Sequence, residues 1–362
     1  MTLVEMLQEA GLTGRGGAAF STAVKVEAAR QHGAALIVNA CDGELGAAKD
    51  AYVVEHHLDE LAHGARLVAG ERVTFAAHRG SATEARLRAA GVPVLAAPAR
   101  YVSSEETALI SLAQGGLARP MTRRAPFVRG GSDSTGRRIE PMVVLNAETV
   151  LRIAQVAERG PAWFRSHGTE AEPGPRLVTV SGAVRRPGVV ATAAGVPLRD
   201  LVAAAGGPSV EPIALGLNGL GGGWITAAEA RSLTWSTAEL SGLGLSTGAG
   251  VVTVLGSDVC PLQQVDAMLQ HAAGESAGQC GPCMFGLPAL AESFGALLRP
   301  GAAQALPALR DRLALLPGRG ACHFPDGVAR FTTSAIETFA DHLAQHRAGA
   351  CPTPRSDHEL VH

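Results

Sequence analysis

Three sets of residues in this 362-residue chain could do chemistry. The first is the run Gly14-Arg15-Gly16-Gly17-Ala18-Ala19-Phe20. Glycines so spaced let the backbone approach a ligand and aim amide hydrogens at a phosphate or ring edge. The run fits a loose G-x-G-x-x-A pattern. A standard dinucleotide fingerprint, however, follows a strand, and residues 4–10 read as helix. The second set is Cys280 and Cys283, spaced C-x-x-C, with Cys322 downstream; such thiolates ligate an iron–sulfur cluster or zinc. The third set is made of rarities. Of 31 basic residues only Lys25 and Lys49 are lysine, and asparagine occurs only at 39, 146 and 218. Lysine offers a compact charge that arginine does not replace, and asparagine offers paired donors and acceptors. His56 and His57, being adjacent, diverge on a helix and read as solvated surface. Cys260 reads as core.

These residues need elements to position them. Strands are expected at 34–38, 72–77 and 92–97, and helices at Leu58–Ala69 and 83–90, an alternation that fits a parallel α/β sheet. A long Gly-, Arg-, Pro- and Ser-rich loop covers 115–138, and loops of that length are usually functional. A helix at 150–158 closes the segment, and 171–175 reads as a linker. Beyond it come strands at 177–182 and 189–192 around the Arg186-Pro187-Gly188 turn, a helix at 196–205, and a last strand at 251–255. Residues 261–346 read as helical, interrupted by two cysteine-bearing turns. The expected fold class is α/β, in three parts with a tail. These are an α/β ligand-binding domain over 1–170, a small β-rich domain over 175–256, a helical domain over 257–347 and a disordered tail over 348–362.

Bulk properties exclude several classes. The chain is 46% apolar, and 31 basic residues against 33 acidic ones give a net charge of −2, so nothing marks a nucleic-acid binder. No apolar run approaches the ~18 residues of a membrane span. The first residues show no secretory pattern, so the expected location is cytoplasmic, peripheral to a membrane complex only through partners. Six cysteines are too few for a disulfide scaffold in so long a chain.

The stretch G-L-T-G-R-G-G-A-A-F-S-T-A-V-K at 11–25 resembles the flavin-binding opening of the NADH-oxidising flavoprotein subunits of respiratory complex I. Their relatives in NAD-linked hydrogenases and formate dehydrogenases share it. N-A-C-D-G-E-L-G-A-A-K-D at 39–50, Y-V-S-S-E-E-T-A-L at 101–109 and L-N-A-E-T at 145–149 are similar to further family segments, in the same order. S-G-A-V-R-R-P-G-V at 181–189 resembles the start of a soluble-ligand-binding β-grasp (SLBB) domain. E-S-A-G-Q-C-G-P-C at 275–283 and G-A-C-H at 320–323 resemble the iron–sulfur region. Both lysines, Asn39 and Asn146 fall inside these matches.

The resemblance implies a Rossmann-like FMN domain, then a β-grasp domain, then a helical iron–sulfur bundle, in a short, divergent family member. It implies FMN held by Gly14, Arg15, Gly16, Gly17, Lys25, Asn39, Asp42, Tyr101, Glu105, Asn146 and Thr149. It also implies NADH held by Phe20, Lys25, Glu44, Glu106, Arg124 and Phe127. A cation near a flavin stabilises its reduced, anionic form, and carboxylates accept from ribose hydroxyls. A [4Fe–4S] cluster would use Cys280, Cys283 and Cys322, but Ala277 stands at the first ligand position. A substitute ligand such as His323, a three-iron cluster, and no cluster all remain open. Other departures are Cys41 in place of an acid and Ser104 in place of a glycine. The implied activity is NADH dehydrogenase, passing electrons from NADH through FMN to an iron–sulfur cluster or a ferredoxin-like partner. The alternative is a degenerate flavin-binding or assembly scaffold.

Overall fold

The computed structural model describes residues 1–122, 125–133, 135–299, 305–349, 351 and 353. The first part is built on a four-stranded sheet in the order Val94–Ala97, Val73–His78, Ala35–Asn39, Met142–Asn146. All its pairings are parallel. Both faces are covered, which is why the central strand is an unbroken apolar run. Leu36 and Val38 point into a core shared with helices Leu3–Ala10, Leu58–Ala69 and Ala147–Arg165, while Ile37 faces the core under helix Glu106–Ala113. The chain moves outward from Ala35–Asn39 on one side and returns on its other side as Met142–Asn146. That pair is the topological switch point, where an open α/β sheet leaves a crevice at its carboxyl ends.

The second part is a five-stranded sheet ordered Gly223–Thr226, Pro212–Leu217, Val251–Gly256, Pro175–Gly182, Gly188–Ala193. Val251–Gly256 runs parallel to Pro175–Gly182, whose hairpin partner is antiparallel, and helix Leu198–Ala204 packs on the same core. This is a β-grasp arrangement. The third part is helical, with Pro261–Glu275, Leu287–Leu297, Ala305–Ala314, Phe324–Thr338 and Ala340–Arg347 around one apolar cluster. No helix among the described residues is long and apolar enough to cross a membrane.

Several elements differ from the sequence expectation. The helix expected at 150–158 spans Ala147–Arg165, because Asn146 caps its start and helical backbone resumes after a break at Gly160 (φ +83°), just before Pro161. Helices Thr22–Gln31, Lys49–His56 and Glu106–Ala113 were not anticipated, nor were the strands Met142–Asn146, Pro212–Leu217 and Gly223–Thr226. The 115–138 loop carries a short 3-10 turn at Phe127–Arg129 and enters a two-residue ladder between Gly131–Ser132 and Arg138–Ile139. Most of the tail expected over 348–362 lies outside the described residues.

Candidate flavin and iron–sulfur site

At the switch point Asn39 and Asn146 are register partners at the carboxyl ends of adjacent strands. The Asn39 amide donates to the Ser104 carbonyl (2.9 Å) and its oxygen accepts from the Cys41 N–H (3.2 Å), so it ties two loops to the sheet. Asn146 Oδ1 accepts from the Glu148 N–H (3.1 Å) and from Lys49 Nζ (2.8 Å), and its amide donates to Asp50 Oδ2 (2.6 Å). The Lys49 side chain is 2% exposed, with its ammonium also 3.0 Å from Asp50 Oδ1 and 3.3 Å from Glu148 Oε2. An ammonium has three donors, and here all three have partners. Burial works against the Lys49 charge, but Asp50 and Glu148 prevail and hold its pKa above the ordinary value.

The glycine loop lies directly on this cluster. A Cβ at Gly16 would stand 3.3 Å from Asn146 Cβ, and Gly17 has φ +109°, a conformation closed to branched L residues. The loop is anchored through Arg15, whose N–H donates to Thr149 Oγ1 (2.8 Å). The Arg15 guanidinium turns away from the crevice, donating to the Pro173 carbonyl (2.9 Å) with Phe164 5.8 Å beneath it. Burial, reinforced by Arg176, lowers its pKa to about 9.

Together these segments enclose a cavity of about 820 Å³. Gly14, Gly16, Gly17, Lys25, Asn39, Asn146 and Thr149 line it. So do Asn218 and Ala249 of the β-grasp part and Cys322, Phe324 and Arg330 of the helical part. All three parts of the chain therefore share one site. Phe20 lines it while staying 51% exposed, and Lys25 Nζ faces it, 3.5 Å from Glu106 and 3.3 Å from the Val144 carbonyl.

Four other residues assigned to ligands by resemblance line the cavity with polar atoms that the chain itself engages. Asp42 (φ +47°) accepts from the Asp50 and Ala51 N–H groups and so caps helix Lys49–His56; burial and the Asp50 charge push it up to about 7. Glu105 caps helix Glu106–Ala113 through the Thr107 and Ala108 N–H groups, and burial raises it. Glu44 accepts from the N–H groups of Leu45, Leu220 and Gly221 and from the Tyr101 hydroxyl (2.6 Å); burial still raises it to about 7. Glu44 and Tyr101 thus pin the first part to the second, and Tyr101 stacks on Phe324 of the third at 4.5 Å. Phe127 is 3% exposed and packs in the core beneath helix Glu106–Ala113, away from the cavity lining. Arg124 lies outside the described residues. Sequence reasoning left Lys49, Asp50 and Glu148 without a role, although all three lie in the family-like segments at 39–50 and 145–149 and Lys49 is one of only two lysines.

The cysteines come next to this cavity. Cys283 is buried in the π-helical turn Pro282–Gly286, where burial and then Cys280 push its thiol up to about 12; the Ala277 backbone hydrogen-bonds its sulfur. Cys322 feels Cys280 electrostatically, and burial raises it. Position 277 is an alanine partly buried against the helical core. The His323 side chain is 97% exposed and paired with Asp326 Oδ2 at 2.9 Å, so it points to solvent. His56 is exposed and His57 pairs with Glu60 at 2.9 Å. Cys41 is core.

The lining fits FMN: side-chain-free glycine walls, the partly exposed Lys25 ammonium, polar side chains of Asn39, Asn146 and Thr149 held in place by bonds within the chain, and a cavity in the usual size range for cofactors. Three thiols fit three of the four ligands that an iron–sulfur cluster takes.

The arrangement is that of a three-part chain with a candidate flavin cavity and an iron–sulfur-type helical region. Family profiles agree: the Nuo51 FMN-binding domain matches residues 7–155, the SLBB domain 177–214, and the NADH-ubiquinone oxidoreductase-F iron-sulfur binding region 263–346. The chain is 28% identical over 389 residues to the second F subunit of NADH-quinone oxidoreductase of Rhizobium meliloti, covering 97% of this chain and 90% of that one. It is 28% identical over 404 residues to the F subunit of NADH-quinone oxidoreductase of Mycobacterium tuberculosis, covering 99% and 88%. A crystal structure of an NAD+-reducing [NiFe]-hydrogenase in the H2-reduced state superposes with a TM-score of 0.82 at 27% identity. That match takes in 99% of this chain but 63% of the hydrogenase chain, a little under two thirds. The chain thus carries the FMN-binding, SLBB and iron–sulfur domains in that order and is homologous over nearly its whole length to the F subunits of NADH-quinone oxidoreductases.

The buried Lys49 cluster generates a stability prediction. Lys49→Met leaves Asp50 and Glu148 buried without their cation, which should cost about 3–5 kcal/mol. Urea unfolding checks this; a loss within about 0.5 kcal/mol, as for a surface substitution, would show that the ammonium does not hold the crevice together.

Proposed function

We propose that the chain is an FMN-dependent NADH:acceptor oxidoreductase module of the diaphorase type. The observation that carries this reading is the single cavity reaching from Gly16, Gly17 and Asn146 to Cys322. Bound FMN supplies hydride acceptance from NADH and single-electron delivery toward the iron–sulfur side. The chain's part is placement. Gly16 and Gly17 let the backbone meet the ring, Asn39 and Asn146 present polar groups at the strand ends, and Lys25 supplies positive charge beside them. Phe20, half-exposed on the cavity wall, offers an aromatic face to the nicotinamide or adenine. Glu106, partly exposed on the cavity lining and paired with Lys25, is the carboxylate proposed to meet a ribose. The acceptor is an iron–sulfur cluster on Cys280, Cys283 and Cys322, or a ferredoxin-like partner protein. Met284 (52% exposed) and Phe285 (70%) give such a partner apolar contact beside Cys283.

One observation favours the second reading, a non-catalytic flavin-binding or assembly scaffold. Two groups expected to grip NADH, Glu44 and Phe127, are committed to the chain's own packing. Anaerobic reduction separates the two. The FMN-loaded chain should be bleached faster by NADH than by NADPH, because a 2′-phosphate beside Glu106 meets like charge. Faster bleaching by NADPH contradicts the nucleotide assignment, and bleaching by neither supports the scaffold.

The cysteine set yields its own prediction. With Ala277 at the first ligand position, one iron of a four-iron cluster lacks a thiolate and is easily lost. Anaerobically reconstituted protein should decay in air to a three-iron form by electron paramagnetic resonance, and Ala277→Cys should keep four irons under the same exposure. A wild-type cluster that holds four irons in air would show that another residue completes it.

A further inference from the structure

Four residues that the flavin and iron–sulfur reading does not use converge elsewhere in the helical part. Cys260 immediately precedes helix Pro261–Glu275. His342 and His346 lie one turn apart on helix Ala340–Arg347, so both rings project from one face. Cys351 follows that helix. Cys260 Sγ is 3.4 Å from His342 Nε2 and 3.2 Å from His346 Nε2, and Cys351 Sγ is 3.7 Å from His342 Nε2. All four ligand atoms lie within 4.8 Å of one another. Cys260 and His346 are buried, and the other two are partly buried.

We propose that Cys260, His342, His346 and Cys351 form a structural zinc site. Zinc bonds of ~2.3 Å to sulfur and ~2.0–2.1 Å to nitrogen place neighbouring ligands of a tetrahedron about 3.6 Å apart. The three sulfur–nitrogen separations of 3.2, 3.4 and 3.7 Å bracket that edge. The compactness selects one ion over a two-iron cluster, in which the cysteine pair and the histidine pair sit on different irons and spread apart. Charge balance agrees with the surroundings. On binding, the two thiols release their protons to solvent, and two thiolates with Zn²⁺ and two neutral imidazoles sum to zero. A neutral site suits a position whose neighbours include Leu262, Leu343 and Phe339. The His346 imidazole also hydrogen-bonds the Leu298 backbone, the kind of outer contact that fixes a ligating ring.

The site shares no residue with the Cys280, Cys283 and Cys322 set. Cys260 and Cys351 flank residues 263–346, the span matched by the iron–sulfur profile, while His342 and His346 lie at its end. The ion fastens the last described helix to the start of Pro261–Glu275, the helix that leads into the Cys280–Cys283 turn. It thereby steadies the frame that presents those thiols.

The test is metal analysis of the full chain. Purified protein should carry one zinc per chain, and X-ray absorption at the zinc edge should show two sulfur and two nitrogen neighbours. The zinc should persist in a Cys280→Ser/Cys283→Ser/Cys322→Ser protein and be lost in Cys351→Ser. Cys351→Ser alters a partly buried residue beyond the last helix; His342→Ala, with circular dichroism to verify folding, provides a second variant. Should the wild type purify without metal, one equivalent of Co²⁺ should give the intense d–d bands of a tetrahedral thiolate site, and Zn²⁺ should abolish them. Three or four sulfur neighbours, zinc lost with the triple serine protein, zinc retained in both ligand variants, or no cobalt bands in the metal-free wild type would each overturn the proposal.

Discussion

The structure depends on one buried ammonium. Lys49 sits where the two strands of the switch point end, and its three donors hold Asp50, Glu148 and Asn146 in fixed positions. Asn146 in turn caps the long helix Ala147–Arg165 and sits under Gly16, while Glu148 accepts the Leu177 N–H that begins the β-grasp sheet. One cation thus aligns the glycine loop, the parallel sheet and the second part of the chain. A buried ion pair is a poor source of net stability, because desolvation offsets its attraction. Its use here makes sense as a way of fixing geometry at a ligand site.

The other polar residues around the cavity follow the same logic at smaller scale. Asp42 and Glu44 commit both oxygens, and Glu105 its Oε2, to backbone N–H groups, and so convert loops into defined walls. Glu44 is the most consequential, because its donors come from both the first and second parts of the chain, and Tyr101 carries the contact on to Phe324 in the third. Residue type alone would assign such a carboxylate to a ribose. The geometry assigns it to holding three parts in register around a shared cavity.

Much of the architecture was legible in the sequence where local pattern and tertiary role coincide. Helix Leu58–Ala69 has the expected bounds because Leu61, Ala65 and Val68 form a regular buried stripe, and the strands of the parallel sheet read as apolar runs for the same reason. Helix Lys49–His56 was not legible, because its cap is Asp42, from a different segment, and its buried face includes Lys49 and Asp50. Strands Pro212–Leu217 and Gly223–Thr226 were hidden by the glycines around them, whose places are set by Trp224 packing against Gly216 and by Asn218 meeting Gly248. Within the site, the glycines, Lys25 and both asparagines could be named from rarity and order. What each carboxylate binds could not, since that depends on donors up to 177 positions away. The Cys260 cluster went unread for a related reason: His342 and His346 keep an i, i+4 spacing, but Cys260 lies 82 positions before His342 and only the fold brings it to them.

The central claim is that the cavity at the switch point is a flavin site shaped by backbone as much as by side chains. The most direct measurement is a fluorescence-quenching titration of the flavin-free full chain with FMN and with FAD, in the wild type and in Gly17→Val. The account predicts one tight FMN site per chain, weaker FAD binding, and no FMN binding once the positive φ at residue 17 is denied by a branched side chain. Equal affinity for the two flavins, no binding of either, or unaltered FMN binding by Gly17→Val would contradict it.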